Sequence, residues 1–189
     1  SELCRQLVAY NPQRLLLVEQ AEGSLFYIEA ELNERGYQSV IVPLVADILD
    51  QPRMRFIFDR FKPQVIFHAA AHKHVYMMER QPGEAVKNNT TGTRQLAELA
   101  SAQGVEAFVL ISTDKAINPT SAMGASKRLA EIHLQALQLL QLPKAESGKL
   151  KAESSDSAHT PESSGLRSQV SGLGFVATRF IAVRFGNVL

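Results

Sequence analysis

Short apolar runs rich in β-formers alternate along this chain with longer amphipathic stretches, and that alternation narrows the possible folds more than any other feature. A strand followed by a helix, repeated, closes most simply as βαβ units around a parallel sheet. The spacing predicts strands at Arg14–Glu19, Ser39–Leu44, Gln64–His68, Ala107–Ile111 and Thr178–Phe185, with helices beginning near Ser1, Glu22, Gln51, Glu84 and Ser121. In the helix beginning near Glu84, Leu96, Leu99 and Ala100 share one face while Arg94 and Glu98 stay wet. The expected class is α/β, a doubly wound parallel sheet.

Composition bounds what such a sheet could serve. With 189 residues and 45% hydrophobic content, the chain can bury one continuous core. Twenty Lys and Arg against 19 Asp and Glu leave no general field, so nucleic acid is not an expected partner and an anionic ligand needs a local site. The single Cys4 excludes an internal disulfide and points to a reducing compartment. No apolar run is long enough to cross a bilayer, and the N-terminus lacks the layout of a secretory signal. The segment therefore reads as cytoplasmic.

Three parts are expected: residues 1–142 as a partial dinucleotide-binding domain, 143–174 as an insertion, and 175–189 as a further strand of the same domain. The insertion is crowded with Ser, Gly, Lys and Glu, echoes Lys144-Ala145-Glu146-Ser147 in Lys151-Ala152-Glu153-Ser154, and holds too little apolar surface to offset its ordering entropy. It reads as a flexible surface segment. The chain begins in helix-like sequence without an initiator Met and stops just after a strand, so both ends read as cut, before a first strand with its Gly-rich loop and before the substrate-binding region.

Candidate chemistry lies where predicted strands end. Glu19 closes the first, placed to accept hydrogen bonds from adenosine ribose hydroxyls and to repel a 2′-phosphate, which favours NAD while leaving NADP open. Asp47, followed by Ile48, either caps a helix or contacts the adenine. His68, Ala69, Ala70, Ala71, His72, Lys73 and His74 leave the third strand, and the small residues permit close backbone approach of a ligand. The three His lack a Cys partner or a supporting acidic pattern, so no metal is assigned. After the fourth predicted strand come Ser112, Thr113, Asp114 and Lys115, then Met123 and Lys127: hydroxyls, a carboxyl and amines suited to moving protons. Met123 and Lys127, one helical turn apart, are expected to face one crevice.

The ordered blocks His68 to Val75, Asn89 to Thr93, Ser112 to Lys115, Asn118 to Thr120, Met123 to Glu131 and Arg184 to Val188 resemble the polysaccharide-biosynthesis UDP-N-acetylglucosamine 4,6-dehydratases, extended short-chain dehydrogenases/reductases with a Rossmann-like fold. The likeness spans nearly the whole chain outside the insertion. It implies a tightly held nicotinamide cofactor recycled within each turnover: C4 of the sugar is oxidised, water is lost across C5 and C6, and hydride returns to C6. By carry-over, Asp114 is the acid at the C6 hydroxyl, Lys115 the base at C5, Thr113 a contact to the reacting sugar, and Lys127 a holder of the nicotinamide ribose. Cofactor contacts are expected from Glu19, Asp47, Ile48, His68, Ala69, Ala70, Lys73, Asn89, Ser112 and Lys127; substrate contacts from Lys73, His74, Thr113 and Asn187.

Met123 occupies the position where the wider superfamily carries a catalytic Tyr, and a thioether cannot exchange a proton. The long, membrane-attached branch of this dehydratase family is similar in carrying Met there, which implies a homo-oligomeric parent that an inner-membrane anchor could hold. Without the Gly-rich turn, the isolated 189 residues are expected to bind NAD weakly and to be inactive. Two rivals stand beside this reading: a nucleotide-sugar C4 epimerase on the same fold, and a non-catalytic nucleotide-binding protein.

Overall fold

A computed structural model describes residues 2–141 and 177–186. The expected insertion at 143–174 and Asn187 lie outside the described residues.

Strand β1 (Leu15–Glu19) pairs in parallel with β2 (Ile41–Val45), Leu17 opposite Pro43. Among the described residues β2 pairs only with β1, so the missing N–H of Pro43 breaks no second ladder. The second sheet runs in the order β3 (Val65–His68), β4 (Ala107–Thr113), β5 (Arg179–Phe185), again parallel. All five predicted strands form. Residues Ser39 and Val40 belong to the turn before β2, and β4 runs two residues further than the sequence pattern ends, so Ser112 and Thr113 are strand residues.

Helices cover both faces of the first sheet. Val8 of α1 (Glu2–Val8) and Leu25, Ile28 and Leu32 of α2 (Glu22–Glu34) pack with Leu17 and Ile41. On the other side Leu16, Val18 and Leu44 meet the main core. That core takes Met54, Ile57 and Phe58 from α3 (Gln51–Phe61), Leu96, Ala97 and Ala100 from α6 (Thr93–Ala102), Ala130 and Leu134 from α7 (Ala122–Gln141), and Phe108 and Leu110 from β4. Leu96 and Ala100 are buried while Arg94 and Glu98 stay in water, as the helical spacing requires.

Between β3 and α6 the chain departs from expectation. A short helix, α4 (Val75–Arg80), precedes α5 (Pro82–Ala85), and the predicted helix from Glu84 begins two residues earlier with Pro82 in its first turn. A π-helical turn, Val86–Gly92, then separates α5 from α6. Such turns insert one residue per turn and re-aim side chains, and they recur at functional sites.

Candidate active site

The carboxyl ends of β1, β2 and β3 surround a crevice of about 170 Å3. Val18, Glu19 and Gln20 form one wall, Ala46, Asp47 and Ile48 the second, and Ala69, Ala70, Ala71 and His72 the third, with Asn88 reaching in from the π turn. Sequence reasoning placed Glu19, Asp47, Ile48, Ala69 and Ala70 around a common ligand, and all five line this crevice. Glu19 Oε1 accepts from the Ala21 amide at 3.0 Å, holding the acidic side chain at the strand end. Asp47 Oδ1 accepts from Leu49 N at 2.9 Å in a local turn, whereas α3 is capped by Asp50, whose Oδ1 accepts from Arg53 N at 3.0 Å. Of the two readings of Asp47, the helix cap therefore falls away.

Asn88 was missed by sequence reasoning. It is buried against the crevice, and its Oδ1 has no hydrogen-bond partner among the described residues. Next to it, Asn89 is fully engaged: Oδ1 accepts from His72 N at 2.8 Å, and Nδ2 donates to His72 O and to Ser126 Oγ, each at 3.0 Å. Asn89 thus ties the His72 loop to α7 and shapes the crevice from behind. Both amides stand on the π turn, one engaged and the other facing the crevice.

His68 does not line the crevice. Its ring turns into the core against Phe108 and lies 2.8 Å, through Nε2, from Thr93 Oγ1. Thr93 donates its own hydroxyl proton to Asn89 O at 2.6 Å, which leaves Nε2–H as the donor and fixes a neutral tautomer. Burial, reinforced by the charge of Lys127, pushes the His68 pKa down to about 3. The ring is a structural donor, and the crevice wall begins at Ala69.

A second group of polar side chains stands at the end of β4. Thr113 Oγ1 donates to Asp114 Oδ1 at 2.9 Å, and Lys115 Nζ lies 3.4 Å from the same oxygen. The Thr113 hydrogen bond holds the Asp114 carboxyl below its usual range against some desolvation, and Lys115 adds to the effect. Both charged side chains are roughly half exposed at the mouth of the sheet.

Lys127 is buried and donates from Nζ to Ile111 O at 2.9 Å, two residues before Thr113. Burial pulls its pKa down to about 8, with the Glu131 carboxylate opposing the fall. Met123 does not share a crevice with it: the thioether side chain packs with Met78 and Ala85 in a separate apolar cluster. One turn apart, the two side chains serve different neighbours because α7 has α4 and α5 on one side and β4 on the other. Lys73 and His74 lie beyond the crevice wall, His74 just before α4. Ser112 is buried beside Glu131. Among the described residues no three His, Cys, Asp or Glu side chains group as metal ligands.

Comparison with known proteins gives this geometry a context. The family described as "Polysaccharide biosynthesis protein" matches residues 1–189. The probable polysaccharide biosynthesis protein EpsC of Bacillus subtilis is 40% identical over 190 residues, covering 100% of this chain and 26% of that protein. The UDP-N-acetylglucosamine 4,6-dehydratase (inverting) of Campylobacter jejuni serotype O:23/36 is 29% identical over 118 residues, 62% of this chain and 34% of that protein. Among solved structures, a double mutant of the dTDP-glucose 4,6-dehydratase DesIV of Streptomyces venezuelae with NAD and DAU bound superimposes with a TM-score of 0.63 at 21% identity, over 73% of this chain and 48% of that chain. The last is a likeness of fold. The chain spans about a quarter to a third of the length of these curated relatives.

Proposed function

This chain belongs to the polysaccharide biosynthesis protein family, and on that premise we propose that the complete protein is a nicotinamide-dependent nucleotide-sugar 4,6-dehydratase acting on UDP-N-acetylglucosamine or a close relative. The observation that carries the reading is the Asp114–Lys115 pair, 3.4 Å apart at the carboxyl end of β4 and braced by Thr113. A carboxyl and an amine side by side suit an elimination, which must take a proton from one carbon and give one to a hydroxyl leaving the next.

The crevice fits the adenosine half of a nicotinamide cofactor. Glu19 supplies the ribose acceptor, the Ala69–Ala71 run allows close approach, and Asn88 Oδ1 is a buried acceptor awaiting a donor. Glu19 favours NAD. A nicotinamide held there would supply the hydride acceptor for C4 and the hydride source for C6.

The proton inventory then closes on this chain's own residues. Asp114, held as a carboxylate, takes the C4 hydroxyl proton as that carbon is oxidised. It passes the same proton to the departing C6 hydroxyl, which leaves as water. Lys115 is the base that removes the C5 proton and gives it back to C5 when hydride reaches C6. Met123, sealed in an apolar cluster, takes no part. Lys127, expected to hold the nicotinamide ribose, adds positive charge beneath the sheet end through its bond to Ile111 O.

The decisive experiment is incubation of the full-length protein with UDP-N-acetylglucosamine, followed by mass and NMR analysis. Dehydration gives a product lighter by one water with a ketone at C4 and a methyl at C6. A product of unchanged mass would favour C4 epimerisation, and bound cofactor without conversion would favour a binding protein. The same reading makes the protein a cytoplasmic-facing homo-oligomer, with any membrane anchor outside these residues; among the described residues no helix is long and apolar enough to cross a membrane.

A further inference from the structure

Glu131 lies on α7, 1% exposed, and its carboxylate gathers groups from three elements. Arg184 of β5 forks onto both oxygens, Nε donating to Oε1 at 2.8 Å. Arg128, three residues back on the same helix, donates to Oε2 at 2.9 Å. Ser112 of β4 lies beside the carboxylate, its buried Oγ lacking a hydrogen bond of good geometry. Ser112 and Arg184 are register partners across β4 and β5, so one carboxylate grips the neighbouring strands where they end. One residue on from Ser112, Thr113 pairs with Phe185, and Gly186 follows with its Cβ position 3.9 Å from Asp114 Oδ2.

The position is costly to fill with a charge. Burial alone opposes ionisation of Glu131, yet Arg184, the neighbouring Ser112 hydroxyl and Arg128 together pull its pKa down to about 2. A hydrophobic residue could have filled the same space, so the ion pair is better explained by a directional task than by stability alone.

We propose that Glu131 is a positioning residue, fixing the ends of β4 and β5 to α7 so that Asp114 and the chain leaving β5 at Gly186 stay side by side. It touches no substrate itself. The catalytic consequence rests on the dehydratase reading above, whereas the geometric consequence does not.

The test uses the full-length protein and three variants. Glu131→Gln keeps shape and loses charge, Arg184→Lys keeps charge and loses the fork, and Arg128→Ala removes only the partner on Glu131's own helix. Amide hydrogen exchange is followed at residues 111–116 and 182–186, together with kcat and KM for UDP-N-acetylglucosamine. Glu131→Gln is expected to speed exchange in those two segments by about tenfold or more and to lower kcat by about tenfold with KM nearly unchanged, since a positioning loss falls on the transition state. Arg184→Lys should give a smaller change of the same pattern, and Arg128→Ala neither. Exchange that stays at the wild-type rate in both segments, or rises evenly over the whole domain, would overturn the proposal. If wild type does not dehydrate the sugar, the functional reading fails while the exchange arm still decides the role of Glu131.

Discussion

A Cβ atom on Gly124 would stand 2.3 Å from the carbonyl oxygen of Lys115. The first turn of α7 is therefore packed directly on the backbone of the turn that carries Asp114 and Lys115, with Gly124 N also donating to Ser121 Oγ at 3.1 Å. No real side chain tolerates such a distance from backbone, so Gly124→Ala must push the 114–116 turn away from α7. The expected cost is on the order of 1–3 kcal/mol, typical of overpacking, with loss of turnover out of proportion to the loss of stability. Thermal unfolding and kcat measured on the same preparation check this; an alanine variant as active as wild type would show that the turn yields freely.

Lys127 makes the stability of the fold depend on pH. Its pKa falls from 10.5 to about 8 on folding, so between those values the unfolded chain binds more protons than the folded one. Burying the charged amine thus costs stability below about pH 8, and the cost is relieved as pH rises towards 10.5. Against Lys127→Met, wild type should gain on the order of 3 kcal/mol across that window. Urea unfolding of both proteins at pH 7.5 and 10 reads the difference directly. A gap that does not change between the two would mean that the amine is more hydrated than its burial indicates.

How much of this was legible beforehand varies with the kind of residue. The strands were readable because short β-branched runs between polar breaks have few alternatives, and Glu19 and Asp47 followed from standing where those strands end. Asn88 was not, because its significance is an acceptor left unpaired in the folded chain, and nothing in a pair of adjacent asparagines distinguishes the engaged one from the orphan. Glu131 was visible only as part of a motif. Its partner Arg184 is 53 residues away, and their meeting depends on β5 lying beside β4. Met123 and Lys127 show the limit of helical spacing: it assigns a shared face but not the different neighbours that each long side chain finds.

The buried neutral His68 should give the protein an acid limb. With the folded pKa near 3 and an ordinary value of 6.5, the unfolded chain binds the extra proton first as pH falls, so stability is full above about 6.5 and drains away towards 3. Replacing His68 with Gln keeps a donor for Thr93 Oγ1 without a titrating ring, and should flatten that limb. In NMR spectra the imidazole signals of His68 should stay at their neutral positions from pH 8 down to about 4. Titration near 6.5 would mean that water reaches the ring.

The crevice makes the last prediction, and the order of two effects tests it. Glu19→Ala removes the proposed ribose acceptor at the rim, while Asn88→Leu replaces the unpaired amide with an apolar group of similar size. If the crevice holds the adenosine half of the cofactor, both variants of the full-length protein should bind NAD more weakly by about tenfold, the worth of one hydrogen bond to a buried partner. Their stabilities should move in opposite directions. Asn88→Leu is expected to raise Tm in the absence of cofactor, because an unsatisfied buried oxygen is lost, whereas Glu19→Ala gives up only a bond to the Ala21 amide and should change Tm little. Calorimetric titration with NAD and with NADP supplies the affinities, and Glu19→Ala should also narrow the preference between the two, since the carboxylate is what repels a 2′-phosphate. Unchanged NAD affinity in both variants would remove the crevice from the cofactor site altogether.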